Sequence, residues 1–282
     1  GVFRKVNGQF RSNKNVNTET WSLFDMEIPK GKNQTEKILL ARSLKGIMQI
    51  QGDRARRIVD GSYATIVEVS RRRPGLMYIN DASQKLFRII LKNGRRIKEP
   101  LPSLLNGRFE SIAEDLDGAI WRIERYGQRR AYRVMMSEEE NATQVQEYGR
   151  LDGLAPVITI FRLREKLLFM TEEGLRVFDD KQDVFVPIQI EGFPDFGIQS
   201  MVEAPFGKVW LTRESQIGKW FELLTPKENG TYTRDSISLA QLNDLEVWGK
   251  LYPDEDGLLW IGSSEGLYCY DPQKSEVGQK IP

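Results

Sequence analysis

Histidine is absent from this 282-residue chain, and cysteine occurs once, as Cys269. Without histidine these residues hold no Ser-His-Asp triad, no imidazole metal ligand and no phosphoacceptor histidine. One cysteine excludes an internal disulfide and a zinc cluster. No run approaches the ~18 apolar residues of a membrane-spanning helix, so no membrane contact is expected within the chain. A sustained helical period is also missing. Ser137–Gln146 and Asp235–Leu245 come nearest, and each has room for one short helical turn. Any catalysis would have to rest on carboxylates, Lys or Tyr. The first residues, GVFRKVNGQF, carry neither a secretory leader nor an initiator methionine, which predicts a processed or excised piece of a longer protein.

Charge is balanced overall but unevenly placed. The net charge is +1, yet residues 54 to 133 hold 18 Lys/Arg against 9 Asp/Glu, leaving the remainder at −8. Solvated strand edges guarded by Lys and Arg are one explanation; a basic face for an anionic ligand is the other. Neither a cofactor nor a nucleic-acid partner is expected.

What the chain does contain is repetition. An aromatic following G-x-x recurs as Trp260 (GLLW), Trp210 (GKVW), Trp121 (GAIW) and Tyr78 (GLMY). Phe169 (KLLF) and Leu40 (KILL) occupy the same slot in altered form. The spacings are 38, 43, 48, 41 and 50 residues. A β-type run precedes each slot: Trp21–Ile28, Tyr63–Val69, Phe109–Ala113, Val157–Phe161, Ile198–Val202 and Leu245–Leu251. A polar turn and a third apolar run follow each slot, as in GIMQIQ (46–51), GLRVFD (174–179) and GLYCYD (266–271). Fourth strands are clearest at Asp183–Ile190 and Gly230–Ile237. Four short antiparallel strands per ~40–45 residues predict an all-β β-propeller. Such a meander cannot bury both faces alone, so its periodic aromatics are expected between stacked blades. A sugar platform is the other use of these rings. Gly1–Val6 matches a third-strand pattern, which predicts that the chain opens in mid-blade. The favoured count is seven blades with an incomplete closing blade, into which Glu276–Pro282 would lead. Six blades and an N-terminal ribbon are the alternative. Residues 1–282 are then one propeller domain of a longer, multidomain receptor.

The emerging consensus, D-x-D-G-x-ϕ-W-ϕ-G-[ST]-x-x-G-L-x-x-[YF]-D, resembles the two-component regulator propeller repeat. Asp256-Gly257 through Asp271 follows it nearly throughout; Asp117-Gly118-Ala119-Ile120-Trp121 and Gly207–Thr212 follow its first half, and Met170–Leu175 its second. The resemblance implies the periplasmic sensor part of a bacterial two-component receptor, responding to oligosaccharides, with any histidine kinase outside this chain. It implies an oligosaccharide ligand, here anionic if the basic third takes part, and a second propeller or a homodimer as partner. A non-catalytic protein–protein scaffold in an envelope or secretion assembly is the alternative, and a carbohydrate-active enzyme a third reading.

Meander geometry puts the turns between second and third strands on one rim and the Asp-Gly turns on the other. Binding residues concentrate on loops held by a rigid scaffold. The candidate ligand-binding residues are therefore Arg42, Asn80, Asp81, Glu124, Arg125, Tyr126, Glu172, Arg213, Glu214, Ser263 and Ser264. No catalytic or metal-binding residue is assigned. The acidic pairs Asp115 with Asp117, Asp254 with Asp256, and Glu172-Glu173 have the composition of glycosidase or weak Ca²⁺ sites. The first two lie in repeated turns.

Overall fold

The computed structural model of the protein describes residues 3–6, 9–12, 20–31, 34–43, 46–51, 54–60, 66–81, 83–92, 94–102, 106–124, 126–136, 143–215, 218–235, 251–254, 256–263, 266–272 and 276–281. The regular elements among them are strands, apart from two single 3-10 turns at Arg150–Asp152 and Pro205–Gly207. The chain divides into two compact units, Gly1–Glu147 and Tyr148–Pro282.

The first unit opens with a ribbon of β1 (Phe3–Val6) and β2 (Gln9–Ser12). Three four-stranded meanders follow, each hydrogen-bonded in chain order. Blade 1 is β3 (Thr20–Gly31), β4 (Gln34–Ser43), β5 (Gly46–Gln51) and β6 (Arg54–Asp60). Blade 2 is β7 (Ile66–Val69), β8 (Leu76–Asn80), β9 (Leu86–Lys92) and β10 (Arg95–Pro100). Blade 3 is β11 (Phe109–Glu114), β12 (Ile120–Glu124), β13 (Ala131–Met136) and β14 (Thr143–Tyr148). The second unit repeats the plan. Blade 4 is β15 (Val157–Leu163), β16 (Lys166–Thr171), β17 (Gly174–Asp179) and β18 (Val184–Pro187). Blade 5 is β19 (Ile198–Glu203), β20 (Val209–Ser215), β21 (Gly218–Pro226) and β22 (Tyr232–Asp235). Blade 6 is β23 (Tyr252–Pro253), β24 (Leu259–Ser263), β25 (Gly266–Asp271) and β26 (Glu276–Ile281).

The second strand of each blade explains why the aromatic slot recurs. Alternate side chains of a strand point to opposite faces, and here both faces are covered. Met77 and Ile79 of β8 join Leu40 and Ile47 of blade 1, whereas Leu76 and Tyr78 join Ile112, Ile120 and Val134 of blade 3. In the second unit Val209 and Leu211 of β20 pack with Leu168 and Met170 of blade 4. Trp210 packs on Leu251, Leu259 and Ile261 of blade 6 and meets Tyr270 edge-on, 5.7 Å between centroids. Each such buried side chain contributes ~1.5–3 kcal/mol, and Tyr78 and Trp210 lie on the face turned to the following blade. Tyr78, Trp121, Phe169 and Trp210 are fully buried, which excludes them as sugar platforms. Burial, with Glu114 nearby, pushes the Tyr78 phenol up to about 12.

Several expectations are corrected. Six four-stranded sheets and a two-stranded ribbon form among the described residues, the arrangement of the six-blade alternative rather than of seven. Residues 276–281 do not lead into an opening blade; they are β26, which pairs with β25 and completes blade 6. No helical turn forms over the described part of Ser137–Gln146, where Thr143–Tyr148 is the outer strand of blade 3. Val145 packs against Ile112, Ile120 and Val134 and Tyr148 is buried, so the sheet edge wins over a weak helical pattern. Residues 236–250, including the other candidate helical turn and most of the predicted strand Leu245–Leu251, lie outside the described residues.

A candidate ligand-binding edge

The turns joining second to third strands lie at one end of every sheet. In blades 1, 3, 4 and 5 the first strand carries a β-bulge there, at Thr20/Ser22, Phe109/Ser111, Val157/Thr159 and Ile198/Ser200. A bulge bends the strand and re-aims neighbouring side chains. It sets Ser43, Glu124, Thr171 and Arg213 at equivalent register positions, paired with Thr20, Phe109, Val157 and Ile198. Asn80 holds that position in blade 2 opposite Ile66.

Two of these positions show what the repeat requires. The Ser43 hydroxyl donates to the Gly46 carbonyl at 3.0 Å, and the Thr171 hydroxyl to the Gly174 carbonyl at 2.8 Å. Gly46 and Gly174 sit at φ 110° and 107°, which L side chains avoid and glycine accepts. The consensus [ST]-x-x-G is thus a closed turn. Ser263 pairs with Gly266 in the same register; its side chain, with Ser264 and Arg125, lies outside the described residues.

The other candidates fall into two groups. Arg42, Asn80 and Arg213 are turned inward. Burial lowers the Arg42 guanidinium below its usual range. The Asn80 amide donates to the Gly107 carbonyl at 3.4 Å. Arg213, 7% exposed, pairs with Glu222 at 2.9 Å, donates to the Phe196 carbonyl at 2.9 Å, and lies 5.0 Å over the Trp220 ring. Trp220 Nε1 donates to the same Glu222 carboxylate at 2.9 Å. Glu172, Glu214 and Tyr126 instead face solvent. Glu172 and Glu214 are fixed by backbone N–H bonds to Pro156 and Gly197 carbonyls, leaving their carboxylates outward. Asp81 accepts from the Lys85 N–H at 3.1 Å. Tyr126, 55% exposed, has the Arg108 guanidinium 5.8 Å above its ring, with Glu124 on the same hairpin.

Sequence reasoning missed Arg122, buried in β12 between the rings of Phe109 (4.5 Å) and Tyr132 (4.4 Å), where desolvation lowers its pKa. It also missed Glu222. The signal in both was a charge inside an otherwise apolar strand, WRIE and WFEL.

At the opposite end the aspartates of the motif are taken up by their own turns. Asp254 accepts from the Leu258 N–H at 2.9 Å and from Trp260 Nε1 at 2.8 Å. Asp115 does the same with the Leu116 N–H at 2.8 Å and Trp121 Nε1 at 2.9 Å. Asp117 accepts the Ala119 N–H at 2.8 Å and pairs with Arg133. These carboxylates hold the turn and its tryptophan. Among the described residues no group of three or more Asp, Glu or Cys is placed to hold a metal ion.

Solved structures share this architecture. The extracellular domain assigned to the hybrid two component system BT3049 of B. thetaiotaomicron superposes with a TM-score of 0.62 at 16% identity, over 95% of this chain and 36% of that one. The corresponding domain of BT4673 gives 0.60 at 15% identity, over 99% and 34%. The chain therefore spans about a third of those domains. Virginiamycin B lyase from Staphylococcus aureus, with quinupristin, gives 0.57 at 14% identity, over 95% and 85%. No curated protein matches the sequence. The class is clear: an all-β β-propeller of four-stranded blades. Within it, residues 241–265 match the family model described as two component regulator propeller.

Proposed function

We propose that the chain is a non-catalytic, extracytoplasmic ligand-sensing propeller of a bacterial two-component receptor, and that its ligand is a glycan fragment. The observation that carries this reading is a coincidence of two kinds of likeness. The repeat itself is the two component regulator type, and the fold follows extracellular sensor domains along 95% and 99% of the chain. No helix among the described residues is long and apolar enough to cross a membrane, which suits a part that senses outside.

The non-catalytic assignment is supported by the carboxylates. Asp115, Asp117 and Asp254 of the repeat's acidic pairs are engaged by tryptophan, backbone or arginine. Glu173 of the third pair is bound by Arg150 and Arg176. The lyase that shares the fold is inactivated by replacing one histidine, a residue type this chain lacks.

The test is thermal stability against a library of neutral and acidic oligosaccharides at millimolar concentration. A ligand at 100 times its Kd stabilises by ~2.7 kcal/mol, so a true ligand raises Tm by several degrees. If no glycan shifts Tm and a stable complex with an envelope protein is recovered instead, the chain is a scaffold.

A further inference from the structure

The strongest unassigned feature lies at the other end of the sheets, where β3, β4, β5 and β6 of blade 1 approach the β9–β10 hairpin of blade 2. A cavity of about 350 Å³ opens there. Its apolar wall includes Ile38, Ile58 and Leu91, and the Gln49 and Gln51 amides line one side. Arg56, Lys92 and Arg95 ring it, all exposed. Lys30 and Glu36 also line it and neutralise each other at 3.3 Å.

The neighbouring cations are already spent. Arg57 and Arg96 share Asp60, at 3.7 and 3.4 Å, and Arg88 pairs with Glu99. Arg56, Lys92 and Arg95 have no carboxylate partner among the described residues. Three uncompensated cations thus converge on one concavity, in the basic third of the chain.

We propose that this cavity binds an acidic sugar unit, a uronate or sulfated hexose, with Arg56, Arg95 and Lys92 on its charged group. Guanidinium forks match the paired oxygens of carboxylate and sulfate. Glutamine amides donate and accept, as hydroxyl groups need. The aliphatic wall suits the C–H face of a saturated ring, and among the described residues no aromatic ring lines the cavity to stack a nucleobase. The volume is at the small end of ligand pockets, ~300–1,000 Å³, which fits one or two sugar units. The ligand chemistry rests on the sensing function proposed above; the location does not.

Isothermal titration calorimetry decides it, using a monosulfated uronate–hexosamine disaccharide, its uncharged counterpart, inorganic sulfate and an Asp/Glu peptide. The wild type binds the charged disaccharide best, and binding weakens with salt. Arg56→Ala/Arg95→Ala weakens it at least about tenfold, whereas Lys85→Ala/Arg129→Ala leaves it within about twofold, as exposed charges at the opposite end of their sheets should. Methyl shifts of Ile38 and Ile58 in the wild type report the location without any variant. Arg56→Gln/Arg95→Gln is used if the alanine variant loses its fold. The site is overturned if the disaccharide binds both proteins equally or moves other methyls. Its ligand class is overturned if sulfate, the uncharged sugar or the peptide binds as tightly. Equal glycan stabilisation of wild type and variant sinks this site alone; no glycan binding to either sinks the sensing reading as well.

Discussion

The two ends of the same sheets are built on opposite terms. At the Asp-Gly end the first carboxylate of the motif has fixed partners: Asp254 and Asp115 each hold a backbone N–H and a tryptophan ring nitrogen. At the other end the equivalent register position is Ser, Asn, Glu, Thr or Arg according to blade. The first end repeats because it makes the blade. The second varies because the hairpin closes with whatever hydrogen-bonding group is present, and each blade supplies its own. Repetition therefore marks construction, and a departure from it marks either a local structural solution or a place to bind.

Arg213 is the sharpest departure that turned out to be structural, and breaking it has the largest expected effect. Arg213→Ala leaves Glu222 buried without its main cation and costs about 3–5 kcal/mol by urea denaturation. Arg213→Met/Glu222→Met regains most of the loss, because replacing both charges with apolar groups avoids the desolvation penalty. A loss below ~1 kcal/mol in the single variant would show that the pair is solvated and the distinction between the ends too strong.

Next in size is Asp254→Ala, which strands a backbone N–H and the Trp260 ring nitrogen and lowers stability by about 2 kcal/mol. Asp256, exposed on the same turn, is the control. Asp256→Ala stays within ~0.5 kcal/mol, as surface substitutions do. Equal effects in thermal melts would mean that the motif's first aspartate has no special role.

The smallest change in stability is expected at Tyr126, in the variable, solvent-facing group. Tyr126→Ala shifts stability by no more than ~0.5 kcal/mol but weakens binding of any glycan that stacks on the ring under Arg108, read by calorimetry with the best ligand from the stability screen. An unchanged affinity removes the hairpin of blade 3 from the binding surface.

Much of the architecture was legible because strand-forming physics is local. GIMQIQ, GLRVFD and GLYCYD coincide with β5, β17 and β25 to the residue. The outer strands were harder. RARR in β6 and RRIK in β10 carry little apolar pattern because they face water and need no buried side. The candidate edge was legible as a place, since turns bear chemistry, but not in its parts. Whether Arg213 points inward depends on Glu222, nine residues along and on the next strand. The cavity between blades 1 and 2 was not legible at all. It joins Arg56 to Arg95 across separate sheets, and the charge count of residues 54 to 133 was its only trace.

The closed [ST]-x-x-G turn has one further consequence. The hydroxyl at its first position and the glycine at its last carry the geometry; between them Glu172 turns its carboxylate to solvent, while Glu173 holds Arg150 and Arg176. The residue after the hydroxyl is thus interchangeable: a new side chain there can be fitted into a blade without renegotiating the sheet beneath it. A lineage could retune what such a protein recognises in single-residue steps, one blade at a time, while the scaffold stays under separate selection.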